Sequence, residues 1–197
     1  MPKDGPNRRR DTPPEPGGWE TLSHRRVVDD RWLKLDAEAV RTPAGVVLDP
    51  WWLLDFPDWV LIVPLTTLGE VVLIRQWRQG ARGFVLETPG GVIDGTDADA
   101  QEAARRELLE ETGYAAGQTR LVGHLWPDPA RNVNRCHIIL ATGCARAADP
   151  TPEPGETIET VLVPLAQAGA LLRDGQVESA MHCAALLRGL SAAGQFG

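Results

Sequence analysis

Three glutamates set the chemistry this sequence can do. Glu107, Glu110 and Glu111 lie three and four positions apart, so on a helix their carboxylates share one face with Cβ atoms about 5–6 Å apart. Like charges at that spacing repel by about a few tenths of a kcal/mol per pair even in water, and a divalent cation reverses the sign of that term. Hard carboxylate oxygens favour Mg²⁺, with Mn²⁺ as a substitute. At about 100° per residue, Ala100, Ala103 and Ala104 fall on the same stripe as Glu107 and Glu111. Small side chains there let the helix approach a neighbour closely and turn the acids inward, where unpaired carboxylates need a counter-ion. The same stretch also carries Glu102, Arg106 and Glu110 at i, i+4 and i+8, the pattern of a solvated, salt-bridged face. The segment Glu87-Thr88-Pro89-Gly90-Gly91 just upstream favours a site, because its glycines allow the backbone to approach a ligand.

The elements that hold these acids must come from a chain of 197 residues, enough for one full domain with additions. Its 43% apolar and 24% charged residues are an ordinary globular balance. The formal charge is −7, and residues 97–111, with six acids and two bases, hold −4 of it. Such a surplus of acid argues against a duplex nucleic-acid partner or an anionic membrane. Arg8-Arg9-Arg10 is followed by Asp11-Thr12-Pro13-Pro14-Glu15-Pro16 rather than the apolar stretch of a twin-arginine leader. The apolar run 59–63 falls far short of the roughly 20 residues that span a bilayer. Cys136, Cys144 and Cys183 form no CxxC pair and are odd in number, which suits reduced thiols in the cytoplasm.

Residues 1–18 hold five prolines and three glycines and read as a disordered tail. Over residues 19–58, short β-branched and aromatic runs form a strand meander, separated by the turn signals Thr42-Pro43-Ala44-Gly45, Asp49-Pro50 and Phe56-Pro57-Asp58. The apolar runs 59–63 and 71–74 flank Thr67-Leu68-Gly69-Glu70 and read as a buried hairpin at the centre of a sheet. A helix is expected from about 97 to 112, ending at Gly113. Strands follow near 119–125 and 135–142, then helices over 165–173 and 177–190. Many strands with few helices indicate an α+β sandwich.

Gly91-Val92-Ile93-Asp94-Gly95-Thr96-Asp97, followed by Arg106-Glu107-Leu108-Leu109-Glu110-Glu111-Thr112-Gly113-Tyr114, resembles the Nudix box, G-x5-E-x7-R-E-U-x-E-E-x-G-U with U aliphatic or aromatic. The second half matches throughout. In the first half Asp97 replaces the family's glutamate, and eight residues rather than seven separate it from Arg106, which implies an altered turn. Leu73-Ile74-Arg75-Gln76-Trp77-Arg78 and Leu86-Glu87-Thr88-Pro89-Gly90-Gly91 are similar to flanking motifs of the subgroup that hydrolyses ADP-ribose and related nucleoside diphosphate sugars, and Pro129 sits where that subgroup carries a proline. The resemblance implies a Nudix-type α/β/α sandwich over residues 59–197 with an additional N-terminal β-meander.

It also implies a Mg²⁺-dependent hydrolase that cuts the diphosphate of a nucleoside diphosphate sugar, foremost ADP-ribose, to AMP and a sugar phosphate. Glu107, Glu110, Glu111 and the Gly90 carbonyl would hold the metal, Arg106 would orient the acids, and Glu156 on the loop Glu153-Pro154-Gly155-Glu156 would be a catalytic base, with Glu153 its rival. Arg78 would face phosphate and Glu87 the sugar or adenine. Trp32 and either Trp51 or Trp52 would sandwich the base, or else pack in the core. The meander would exchange across a two-fold axis, giving a homodimer. His124 and His137 read as core or edge histidines. Another nucleotide sugar, a CDP-choline-like substrate or a non-catalytic binding module are the alternatives. A phosphate-loop nucleotidase fails because the stretch Gly90-x4-Gly95-Thr96 lacks its lysine.

Overall fold

The computed structural model describes residues 15–30 and 33–195. Its backbone forms two compact units, one of residues up to Pro57 with the segment Trp126–Arg135, the other of Asp58–Leu125 and Cys136–Gly197.

The first unit holds β1 (Glu20–Asp29), β2 (Lys34–Arg41) and β3 (Val47–Leu54) in an antiparallel sheet of that order. Asp49-Pro50, read from sequence as a turn, lies inside β3. The strand tolerates proline because β3 is an edge and the β2–β3 register shifts opposite these residues, between Glu38 and Val40, so no ladder donor is lost there. Asp36 is buried in the middle of β2, where Arg26 Nε donates to it at 2.5 Å and His24 lies at 3.2 Å. Arg26 also bonds Asp55 at 2.6 Å. Segment Trp126–Arg135 joins the end of β3 through Leu54 N–H to the Arg131 carbonyl and Val133 N–H to the Leu54 carbonyl, at 2.8 and 3.0 Å. Trp19 packs edge-on against Trp51, with ring centres 5.3 Å apart.

The second unit contains β4 (Trp59–Thr66), β5 (Glu70–Arg78), β6 (Gly83–Glu87), β7 (Gly90–Val92), α1 (Ala100–Thr112), β8 (Tyr114–Ala115), β9 (Gln118–Leu125), β10 (Cys136–Arg146), β11 (Ile158–Pro164), α2 (Leu165–Arg173) and α3 (Ala180–Ala192). The spine of the mixed sheet runs β11-β5-β4-β10-β8, with β4 and β10 parallel. The expected hairpin needs correcting. Strands β4 and β5 follow one another through a tight turn, but among the described residues their ladder is the single pair Leu65↔Val71. Beyond it they splay, and β7 pairs beside β4 while β6 pairs beside β5. Two strands with buried apolar runs each need partners on both edges, and the splay lets each find its own.

Alternation along β4 divides the core. Val60 and Ile62, with Val72, Ile139 and Ala141, pack against Ala103, Ala104 and Leu108 of α1. Val63 and Leu65, with Leu73 and Leu140, pack against Ala168 and Leu171 of α2 and Leu186 and Leu190 of α3. Helices on both faces of a sheet make the expected α+β sandwich. The three cysteines are free, Cys136 and Cys144 buried. Among the described residues, no helix is long and apolar enough to cross a membrane.

Candidate active site

Helix α1 starts three residues later than the composition suggests, because Asp99 takes the cap. Its Oδ1 accepts from Gln101 and Glu102 N–H at 2.8 and 2.9 Å, while Glu102 Oε2 reaches back to Ala98 N–H at 2.6 Å. Gly113 ends the helix at φ 74, the left-handed conformation that favours glycine, and its N–H closes on the Leu109 carbonyl at 2.8 Å. Ala103 and Ala104 are fully buried. This close seat brings the strand β7 backbone against the acids: a Cβ at Gly91 would collide with the Glu107 carboxylate.

Arg106 is the hub of the exposed side. Its Nη1 donates to Glu107 Oε1 at 2.8 Å and Glu110 Oε2 at 3.1 Å. Its Nε and Nη2 fork onto the two oxygens of Asp97 at 3.1 and 2.9 Å, and Nη2 also reaches the Val92 carbonyl at 3.1 Å. The bond to Asp97 comes first among the causes that hold the guanidinium pKa well above its ordinary value, and the same bond pulls Asp97 below the usual carboxylate range. The shorter acid and the extra residue are reconciled by a tight turn. Thr96 N–H and hydroxyl both donate to Asp94 Oδ1, at 2.6 and 2.5 Å, and Asp94 N–H donates to Asp97 Oδ2 at 3.0 Å. Asp97→Ala is expected to lower stability by about 1–3 kcal/mol, the usual cost of leaving one partner of such a bond unpaired. Urea denaturation measures it; an unchanged midpoint would show that Arg106 needs no brace.

Glu111 faces the other way. It is 3% exposed, and its Oε2 accepts from Gly90 N–H at 2.8 Å. Burial pushes its pKa up to about 8; Glu107 and Glu156 push the same way, while the Gly90 amide and Arg78 oppose them. Glu107 is also raised, by burial first, against the pull of Arg106. Glu156 therefore stands close enough for its charge to act on both glutamates. Its own loop is closed by Glu153 N–H on Glu156 Oε2 at 3.0 Å and by Glu156 N–H on the Glu153 carbonyl at 2.9 Å. Glu156 is half-buried and Glu153 is exposed.

Arg78 sits at the end of β5 with Nη2 and Nε on Glu87 Oε2, at 2.7 and 2.9 Å. Glu87 is 4% exposed, and its other oxygen lies 3.5 Å from His182 Nε2. Buried between a guanidinium and an imidazole, Glu87 serves to hold Arg78. His182, 6% exposed on α3, is a member of this cluster that sequence reading missed. No local pattern marks it, because its contacts lie 94 residues away in the chain. Trp52 is on β3 in the first unit, partly exposed, and Trp51 is engaged by Trp19. Trp32 lies outside the described residues. His137 lies on β10 between β4 and β9, with Nε2 3.2 Å from Asp58.

The donor set suits a hard divalent cation. Burial holds both Glu111 and Glu107 above the usual carboxylate range, and their mutual repulsion adds to it for Glu111. A cation supplies the opposite charge. Among the described residues no three acidic, His or Cys side chains are already closed into a cage. Glu107 and Glu110 turn onto Arg106 instead, and Glu111 onto an amide.

The NUDIX domain family model matches residues 56–183. The chain belongs to the Nudix family. A GDP-mannose pyrophosphatase of Citrobacter koseri is 32% identical over 115 residues, 54% of this chain and 59% of that protein, so the chain spans about three fifths of that relative. A CMP-5'-(N-acetyl-N-hydroxy-3-aminopropyl)phosphonate hydrolase of Streptomyces rubellomurinus is 30% identical over 176 residues, 89% of this chain and 84% of that protein. The crystal structure of an ADP compounds hydrolase superposes with a TM-score of 0.78 and 24% identity, covering 91% of this chain and 97% of that one, which establishes the Nudix fold. These proteins are hydrolases by name, and the expected membership of the Nudix family is met.

Proposed function

We propose that the chain hydrolyses the diphosphate bond of a nucleoside diphosphate sugar, foremost ADP-ribose, to a nucleoside monophosphate and a sugar phosphate. The observation that carries this reading is the meeting of Glu107, Glu111 and the charge of Glu156 beside Gly90, an acid-rich cluster that the charge of Arg78 also reaches. Glu107, Glu110, Glu111 and the Gly90 carbonyl would hold Mg²⁺, or Mn²⁺ in its place, which when bound neutralises the diphosphate and makes water more acidic. Arg106 keeps Glu107 and Glu110 oriented by its charged hydrogen bonds. Arg78, held from behind by Glu87, meets the phosphate. Glu156 accepts the proton of the attacking water. Glu156→Gln is expected to lower kcat about 10²–10⁴-fold, the range of a lost general base, with KM little changed; single-turnover kinetics check this, and an unchanged rate would move the role elsewhere.

The test is a panel of ADP-ribose, GDP-mannose, other nucleotide sugars and CDP-choline with Mg²⁺, the products identified by mass in ¹⁸O water. Turnover of none of them would favour a binding module. The Streptomyces relative, aligned over most of this chain, acts by its name on a CMP-linked phosphonate, and so supports a second reading in which the leaving group is a phosphonate; a CMP-phosphonate belongs in the panel for that reason.

Assembly as a homodimer belongs to the same proposal. Strand β1 is exposed along nearly its whole length, and Trp19, Leu22, Val27, Val47 and Trp52 stand open to solvent on or beside this three-stranded sheet. Exposed apolar side chains in such number mark an interaction surface. Light scattering on the purified protein is expected to give twice the mass of one chain; a fully active monomer would refute the dimer.

A further inference from the structure

The segment between β6 and β7 has to cross the splay in the sheet. Glu87 is the last residue paired to β5 and Gly90 the first paired to β4, and among the described residues neither ladder includes Thr88 or Pro89. Proline has no amide hydrogen, and its carbonyl accepts from Ile62 N–H at 2.8 Å. The buried Thr88 N–H needs a partner from outside the sheet. It donates to His182 Nδ1 at 3.1 Å, and the Thr88 hydroxyl lies 3.0 Å from the same nitrogen. A backbone amide can only donate, so Nδ1 is bare and the neutral ring carries its proton on Nε2. That nitrogen faces Glu87 Oε1 at 3.5 Å, and the other oxygen of Glu87 holds Arg78. The ring reaches this place from the first turn of α3, on an element that contributes no other residue to the candidate site.

We infer that His182 is a positioning residue with two separable tasks, one for each ring nitrogen. Through Nδ1 it anchors Thr88, and with it the path of the backbone into Gly90, two residues on. Through Nε2–H it steadies Glu87 and so the head of Arg78. The inference rests on the reading of Gly90 as a metal donor and Arg78 as a phosphate contact. It adds that α3 sets the geometry of both.

Two near-isosteric substitutions divide the tasks. In His182→Asn the side-chain oxygen takes the place of Nδ1, so Thr88 keeps its acceptor and the arm to Glu87 is lost. In His182→Gln the amide reaches the Nε2 position, so Glu87 keeps a donor and Thr88 loses its acceptor. With the full chain, Mn²⁺ binding is titrated calorimetrically without nucleotide, and kcat and KM are measured on whichever panel member the wild type hydrolyses. His182→Gln is expected to weaken Mn²⁺ binding about 10-fold or more, the usual effect of losing a group that orients a ligand, with KM nearly unchanged. His182→Asn is expected to raise KM several-fold, because Glu87 loses the 3.5 Å polar contact that steadies Arg78, with Mn²⁺ binding nearly unchanged.

Parallel changes in both variants, tracking a common fall in melting temperature, would reduce His182 to core packing and overturn the inference, as would no change in either. The ring itself gives an activity-free readout. Long-range ¹H–¹⁵N spectra of the wild type should show the Nε2–H tautomer, and a proton on Nδ1 overturns the inference even if neither variant folds. Absence of hydrolysis of the whole panel would instead sink the proposed function, leaving metal titration and tautomer to decide the role of His182.

Discussion

Glu111→Gln is expected to cut turnover by about a thousandfold or more while leaving the protein folded. The two halves of this expectation have different origins. A glutamine at this position still offers an oxygen to Gly90 N–H, so the bond at 2.8 Å that fixes the strand against α1 has a replacement. The buried surroundings that push the acid to about 8 suit a neutral amide better than a carboxylate. What is lost is the negative charge that would hold a divalent cation, and charge stabilisation of that kind contributes several kcal/mol to a transition state, about tenfold in rate for each 1.4. Glu107→Gln should behave likewise, with one difference. Glu107 also accepts from Arg106 Nη1, which keeps Glu110 as its other acceptor, so the amide weakens a charge-assisted bond and costs some stability. Steady-state kinetics at saturating Mg²⁺, with circular dichroism as the folding control, measure both variants. Near wild-type turnover in the two of them would remove the carboxylates from the mechanism.

How far these parts could be read from sequence depends on how local their causes are. The face shared by Glu107, Glu110 and Glu111 follows from helix periodicity alone, and the alanine stripe beneath it packs as that periodicity requires. Arg106 sits within one turn of two of the acids, and Asp97 was recognisable as the outer acid in spite of the altered spacing, although its bond to Arg106 was not. Glu87 and His182 are different. Glu87 looks from its motif like a group offered to a substrate, and only the fold shows that its carboxylate is spent on Arg78 and the imidazole. His182 meets the segment it supports across 94 residues, a distance at which spacing carries no information. The splay of β4 from β5 was equally illegible. The runs 59–63 and 71–74 within them are uniformly apolar, and such runs do not say which neighbour each will choose. Asp49-Pro50 shows the converse error: a strong turn signal overridden because an edge strand with a register shift has no need of the missing amide.

Glu111 also makes the metal-free protein sensitive to pH in an unusual direction. Most acids in folded proteins are stabilised as carboxylates, so stability falls as pH drops. Here the folded state raises the pKa from an ordinary 4.5 to about 8. Between those values the folded chain keeps a proton that the unfolded chain releases, so the unfolding free energy declines as pH rises through that window. At about 1.4 kcal/mol per pKa unit the full decline amounts to several kcal/mol, and Glu107, raised as well, adds to it with the same sign. A bound divalent cation abolishes the effect by favouring the ionised form in the folded state. Urea unfolding in EDTA is therefore expected to show stability decreasing from pH 5 to pH 8, and added Mg²⁺ to stabilise far more at pH 8 than at pH 5. Glu111→Gln should flatten the EDTA profile and be more stable than the wild type at pH 8 without metal. An EDTA profile that instead rises with pH would mean that Glu111 is ionised without metal, and that the strain a cation is proposed to relieve is not there.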